Sequence, residues 1–163
     1  MHHFEFINLK DCPDADGIYL NDLYYEAKII DSPRDLFKNL RLDEQTEILE
    51  LYRSGKFFKI VHQEELIGFI GHGIKILDTI MIFYIFLPDF RGKGLFKPMI
   101  DEFIILCKEM YPAKKLLRAN TEANNFPSIA ALQKANFQFL EEKLDGPSDQ
   151  HQVTFRCYVR NII

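Results

Sequence analysis

The sequence predicts one mixed α/β domain covering residues 1–163. Three observations carry that expectation. Stretches of strand character alternate with stretches of helical spacing along the chain. The run from Thr79 to Leu87, "TIMIFYIFL", is apolar on both faces, as a central strand must be when both of its sides are covered. A chain of 163 residues that is 47% hydrophobic can build one real core and hardly two, and it is too apolar to be disordered.

The elements follow in order. "FEFINL", Phe4 to Leu9, alternates weakly and reads as a strand, and "DCPDADG" after it is a turn cluster. From Tyr19 to Ser54 the spacing is helical, broken at "DSPRD", where Asp31 or Ser32 can cap a second helix with Pro33 in its first turn. Gly55 ends that region. "KFFKIVH" and "ELIGFIGHGIKIL" read as a hairpin with its tip at Gln63 and Glu64. Asp78 turns the chain into the central strand. Beyond a glycine turn, Met99, Ile100, Phe103, Ile104, Cys107 and Met110 recur at helical spacing until Pro112. "KLLRANT" is a further strand, Asn125 and Pro127 open a helix through about Ala135, and "FQFLEE" and "QVTFRCYVR" form a last strand pair around "DGPSDQ".

Composition narrows the function. The formal charge is −4 and the pI about 5.7, without the basic balance of a dedicated nucleic-acid binder. Positive charge gathers locally, at Arg91, Lys93 and Lys97 and again at Lys114, Lys115 and Arg118, which suits a small polyanionic ligand. Cys12, Cys107 and Cys157 are odd in number and far apart, so neither a disulfide framework nor a zinc site is expected, and no metal. Reduced thiols, the lack of an apolar core in "MHHFEFINLK" and the lack of a membrane-length apolar run give a cytoplasmic expectation.

The chemistry centres on "FLPDFRGKGLFKPMIDEF", Phe86 to Phe103. A helix N-terminus leaves backbone N–H groups without intrahelical partners and carries a partial positive charge, so it receives anions. Gly92 and Gly94 allow close approach and unusual backbone angles, while Arg91, Lys93 and Lys97 add charge. A strand feeding such a turn is a recurrent phosphate cradle. It is no Walker loop, since the spacing differs and no Lys-Ser/Thr pair follows, and the third glycine of the dinucleotide fingerprint is missing.

Together with "ANTEANNFPSIAALQKANF", Ala119 to Phe137, this stretch resembles the GCN5-related N-acetyltransferase (GNAT) superfamily. Its Arg/Gln-x-x-Gly-x-Gly/Ala pattern, between the fourth strand and the next helix, is met by Arg91, Gly92, Lys93, Gly94, Leu95 and Phe96. Its later Asn-x-x-Ser/Ala, apolar stretch and Lys-x-Gly-Phe are met in spacing by Asn125, Ser128, Leu132, Lys134, Asn136 and Phe137. The form is closest to the branch that acetylates ribosomal-protein N-termini. The resemblance implies a twisted, mostly antiparallel sheet of about six to seven strands flanked by about four helices. Acetyl-CoA would be held between splayed fourth and fifth strands. Departures are Phe96 for the loop's last small residue, so that its ring must point away from the pyrophosphate, and Asn136 for a glycine at a left-handed helix end. Leu132 stands where many members carry an acidic tyrosine, and Ile80 near a strand glutamate.

The implied reaction is direct attack of a primary amine on the thioester of acetyl-CoA. The backbone of Ile85, Phe86 and Leu87 would contact the cosubstrate, with an oxyanion donor around Phe86 or Leu87. Arg91 to Phe96 would hold the pyrophosphate, Asn125 the pantetheine arm or simply the helix as its cap, and Lys134 the 3′-phosphate or solvent. Ser128 is the candidate acid. Base candidates are His72, between two glycines on a strand, Glu122 and Asp78, each with a plainer structural or solvated role as the alternative; Tyr24, Tyr25, Tyr84 and Tyr158 stay unranked. An α-amine acceptor, with a pKa of about 8, needs no strong base. Acids between Asp22 and Glu50 could steer a cationic acceptor or merely be solvated. Two other readings stay open: an acyl-CoA-binding module with little turnover, and a ribosome-associated module. A monomer or a homodimer fits equally.

Overall fold

The computed structural model describes residues 3–11, 50–51, 53–76, 78–145 and 153–163. Most of the helical region expected from Tyr19 to Ser54, with its cap at Asp31 or Ser32, lies outside them, as do Cys12, Tyr24, Tyr25 and the tip of the "DGPSDQ" loop. Seven strands form a sheet: β1 (Phe4–Asn8), β2 (Phe57–His62), β3 (Glu65–Ile76), β4 (Thr79–Phe86), β5 (Leu116–Glu122), β6 (Gln138–Asp145) and β7 (Val153–Asn161), in the order β1-β2-β3-β4-β5-β7-β6. Two longer helices, α1 (Phe96–Met110) and α2 (Phe126–Lys134), follow β4 and β5. The mixed α/β class read from the sequence is the one observed. Apart from the first two residues, the chain forms two compact units, His3–His72 with Tyr84–Arg91, and Gly73–Phe83 with Gly92–Ile163.

In the first unit β1 runs antiparallel to β2, from Phe4↔His62 to Asn8↔Phe58, and β2 antiparallel to β3. The hairpin tip is where the sequence puts it, and Gln63 and Glu64 both take positive φ, +52° and +67°. That is the twist of a two-residue hairpin turn, here without glycine. Phe57 and Phe69 are fully buried and stack at 5.9 Å. Gly68 on β3 meets the end of β4: a Cβ there would lie 2.3 Å from the Ile85 carbonyl oxygen. Only a residue without a side chain permits that approach.

In the second unit β4 and β5 pair in parallel from Thr79↔Leu116 to Ile82↔Ala119. A parallel pair needs a crossover, and α1 supplies it. β5 pairs antiparallel with β7 over its whole length, and β7 with β6. The α1 residues Met99, Ile100, Phe103, Ile104 and Cys107 are buried as their spacing predicts, whereas Met110, at the helix end, is exposed. Burial without a charged neighbour pushes the Cys107 thiol up to about 12, so it is a packing residue. Arg160 on β7 ties the unit together: it donates to Asp101 of α1 at 2.6 Å and to the Ala135 carbonyl at the end of α2 at 2.9 Å. Asn136 follows with φ +63°, and the Phe137 N–H reaches the Leu132 carbonyl at 3.0 Å. Together with the bond from Asn136 to Gln133, this closes the helix as a Schellman motif, with asparagine doing what glycine usually does. Among the described residues, no helix is long and apolar enough to cross a membrane.

Candidate active site

β4 leaves the sheet through a tight turn. The Leu87 N–H donates to the Ile67 carbonyl of β3 at 2.9 Å. Pro88–Phe90 then form one 3-10 turn, closed by Phe90 N–H to Leu87 O at 3.0 Å and Arg91 N–H to Pro88 O at 3.2 Å. Proline in its first position fixes φ and lacks the N–H that the turn would leave idle. The Arg91 side chain folds back, its Nε donating to the Phe86 carbonyl at 2.9 Å. Partial desolvation lowers the guanidinium below its ordinary pKa, which leaves it positive at any working pH.

Gly92 and Gly94 have φ of +71° and +73°. A Cβ at either would meet nothing within 4 Å. The glycines are therefore required by backbone angle and not by crowding. The turn enters α1 at Leu95, whose side chain offers no capping acceptor, so the helix end is not closed by its own N-cap. Pro98 stands in the first turn, where its missing N–H costs nothing. Phe96, the departure from a small residue, is buried, with its ring 6.5 Å from that of Phe137. It points into the core, as the loop requires. Lys97 is held by Asp101 at 2.7 Å and is less free for a ligand than its sequence position suggests. Asp101 is kept ionised: burial opposes this, but Lys97 and Arg160 together hold its carboxyl below the usual range.

In the second unit, β5 ends at Glu122 and a short turn leads into α2. Asn125 N–H donates to the Glu122 carbonyl at 3.0 Å, and Asn125 Oδ1 accepts from the Ser128 N–H at 3.3 Å. Asn125 is thus an N-cap in fact. Glu122, Asn125 and Ser128 share this turn; Glu122 and Asn125 are exposed and Ser128 half-buried. Lys134 is exposed in the last turn of α2.

Asp78 lies at the opposite end of β5. Its carbonyl accepts the Lys115 and Leu116 N–H groups, both at 3.2 Å, and starts the strand. Six residues of strand, about 20 Å, separate Leu116 from Glu122. Asp78 is therefore not gathered with Glu122, Asn125 and Ser128. His72 belongs to the first unit. It is 1% exposed, stacked on Phe58 at 5.6 Å, with its backbone N–H on the Lys56 carbonyl. Burial, and then the Lys56 charge, lower its pKa from 6.5 to about 4, so it is neutral near pH 7. Tyr158 is buried. Leu132 and Ile80, the positions of the family's tyrosine and glutamate, are fully buried.

One reading of the sequence needs correction. Arg118 is not a surface cation beside Lys114 and Lys115. Its side chain is buried on β5, with Nε on Asn120 Oδ1 at 3.2 Å and Nη2 on Glu141 Oε1 at 3.0 Å and Cys157 Sγ at 2.8 Å. Glu141 is held below the usual carboxylate range by its bond to Lys143, against a small desolvation effect, and by Arg118. Gly68, which lies against the end of β4, is a residue that sequence reading missed; its only signal was a strand rich in glycine. No group of three or more His, Cys, Asp or Glu that could hold a metal occurs among the described residues.

The model of the acetyltransferase (GNAT) family matches residues 19–137, well over half of the chain. A search of curated proteins found no match. Among solved structures, a GNAT-family acetyltransferase from Bacillus anthracis aligns at TM-score 0.67 and 16% identity, covering 98% of this chain and 93% of its own. The ribosomal-protein-S18-alanine N-acetyltransferase of Escherichia coli aligns at 0.66 and 14%, covering 99% and 94%. The Campylobacter jejuni N-acetyltransferase PseH, in complex with acetyl coenzyme A, aligns at 0.58 and 16%, covering 98% and 99%.

Proposed function

The chain belongs to the acetyltransferase (GNAT) family, and we propose that it moves an acetyl group from acetyl-CoA to a primary amine by direct attack in a ternary complex. The amine is that of a protein or peptide N-terminus, a lysine or a small molecule. The family match takes in residues of both compact units, which supports reading 1–163 as one working domain, and the free thiols of Cys107 and Cys157 favour the cytoplasm.

The observation that carries this reading is the turn from Arg91 to Phe96. Two residues with φ near +70° open onto solvent, the helix behind them has no side-chain cap, and Phe96 is turned into the core. That is the geometry a pyrophosphate needs, with backbone amides doing more than side chains. Acetyl-CoA supplies the activated acyl group. The chain's own residues have three tasks. The first is to stabilise charge on the thioester oxygen. The Leu87 amide is committed to Ile67, and strand alternation directs the Phe86 N–H to the β4 edge away from β3, which favours Phe86 of the two candidates. The second is to meet the leaving thiolate, assigned to the Ser128 hydroxyl. The third is to draw the amine proton away. Glu122, sharing a turn with Ser128, is favoured for a water-mediated relay over the distant Asp78 and the buried His72. Asn125 caps α2 and lies where pantetheine passes in this family. Lys134 remains a candidate for the 3′-phosphate.

A second reading has its own support. Leu132 and Ile80 bring neither a hydroxyl nor a carboxylate, and both are fully buried. A module that binds acyl-CoA with little turnover is consistent with that. Titration calorimetry with acetyl-CoA and CoA, beside thioester turnover over a panel of amines, separates the two. Micromolar binding with turnover of at least one amine supports the enzyme. Binding without turnover on N-terminal peptides, lysine and polyamines supports the module. Loss of binding in Gly92→Asp, which puts an anion in the cradle, is expected under both, and unchanged binding in that variant would overturn the phosphate assignment.

A further inference from the structure

β6 ends the strand order of the sheet, and it exposes three large apolar side chains. Phe139 is 55%, Leu140 51% and Leu144 60% exposed. An edge strand that also shows apolar side chains invites pairing with another strand, and proteins blunt such edges unless the edge is used. β6 is blunted only in its first half. A bulge between Phe139 and Glu141 leaves Leu140 without a register partner on β7, while Glu141 to Asp145 pair regularly with Cys157 to Val153.

The geometry points to a twofold dimer in which β6 pairs antiparallel with β6 of a second copy, with Glu142 on the twofold axis. The occupant follows from the order of charges. Centring the pair on Glu142 sets Glu141 against Lys143 of the second copy twice over, and Leu140 against Leu144 twice over. Cross-strand pairs of opposite charge and of apolar groups are the ones that stabilise a ladder. Lys143 already lies 3.1 Å from Glu141 in the same chain, so the dimer creates an alternating row of four charges. The one like-charge pair, Glu142 with its own copy, is relieved within each chain, because Arg156 Nε holds Glu142 Oε1 at 2.7 Å. Displacing the centre by one residue, onto Lys143, sets Lys143 against itself and Glu142 against Leu144. Displacing it to Glu141 sets Glu141 against itself and Leu140 against Glu142. Of these three registers, the one centred on Glu142 alone pairs Glu141 with Lys143 and Leu140 with Leu144. A strand of another protein has no such built-in match. The contact is isologous and closes on two copies, so it makes a dimer and no fibre.

Sedimentation velocity over a concentration series tests this. The full chain is expected to be dimeric at about 100 μM, within reach of a small interface. Glu142→Cys puts two cysteines opposite each other at about 4.5–5.5 Å between Cα atoms, inside disulfide range, and mild oxidation should give a covalent dimer. The parent chain and Ile105→Cys, an exposed position on α1, should not cross-link. Leu144→Lys should shift the chain to monomer with its circular dichroism unchanged. A monomeric parent chain overturns the proposal. So does a dimer that Glu142→Cys fails to cross-link, or one that Leu144→Lys leaves intact.

Discussion

Arg91 Nε and the Phe86 carbonyl oxygen stand 2.9 Å apart, across the turn that joins β4 to the glycine loop. The bond links the end of β4, where the thioester is expected, to the start of the loop, where the pyrophosphate is expected. A guanidinium on a carbonyl is a charge-assisted bond and is worth about 1.5 kcal/mol or more when well placed. Arg91→Gln is therefore expected to weaken acetyl-CoA binding about tenfold, since about 1.4 kcal/mol is one decade. The melting temperature should fall by a few degrees at most, because the bond sits in an exposed turn. Calorimetry and a thermal scan on the same sample check both halves; an unaltered affinity would remove Arg91 from the cradle.

Gly92 and Gly68 should respond to alanine in different ways. At Gly92 there is open space, so Gly92→Ala meets only the φ of +71°, which costs roughly 1–2 kcal/mol. At Gly68 the added carbon would stand 2.3 Å from backbone that cannot rotate away, and the strand end must shift. Overpacking of this kind costs about 1–3 kcal/mol, occasionally more. The discriminating readout is activity at matched stability. Gly68→Ala moves Ile85 and Phe86 and should lower kcat, while Gly92→Ala should act on the Kd for acetyl-CoA. Urea unfolding supplies the stability term, and equal effects on kcat would show that the β3 contact does not position β4.

Much of this was legible in the sequence because it is local. The helical spacing of Met99, Ile100, Phe103, Ile104 and Cys107 sets one buried face by itself, and Asn125 followed by Pro127 marks a helix start within three residues. Asn136 could be read as a left-handed closing residue because few residue types tolerate that angle. What escaped reading depends on partners far along the chain. Arg118 looked like a surface cation beside two lysines. It is buried because Cys157 on the adjoining strand β7 and Glu141 on β6 beyond it, 39 and 23 residues away, come within reach. Gly68 looked like one of several strand glycines until β4 lay against it. Periodicity carries which face is buried; it does not carry which strands adjoin.

Ser128 and Asn125 are linked through a backbone N–H and a side-chain oxygen, so their substitutions should separate chemistry from architecture. Ser128→Ala keeps the N–H that Asn125 accepts and removes only the hydroxyl. If that hydroxyl protonates the leaving thiolate, kcat should fall at least about tenfold, at the low end for a general acid, with the acetyl-CoA Kd nearly intact. Asn125→Ala removes the cap, costs about 1 kcal/mol of stability, and should weaken acetyl-CoA binding if the side chain also meets pantetheine. Steady-state kinetics under conditions where chemistry limits, set beside calorimetry, make the comparison. A full kcat in Ser128→Ala would rule out its acid role.

The buried imidazole of His72 makes stability depend on pH in a defined window. Its pKa in the folded chain is about 4 against an ordinary 6.5, first through burial and then through Lys56. Above pH 6.5 the imidazole is neutral whether the chain is folded or not, and the stability it allows is fully present. Between pH 6.5 and 4 the unfolded chain binds a proton that the folded chain refuses. Stability must fall as pH falls through that window, by up to about 3 kcal/mol. His72→Phe preserves an aromatic ring against Phe58 and removes the titration. Thermal unfolding of the parent chain should therefore lose more degrees between pH 6.5 and 4.5 than that of His72→Phe. Parallel pH profiles would mean that the folded chain leaves the His72 pKa near its ordinary 6.5, and that its ring is open to the proton transfer its burial argues against.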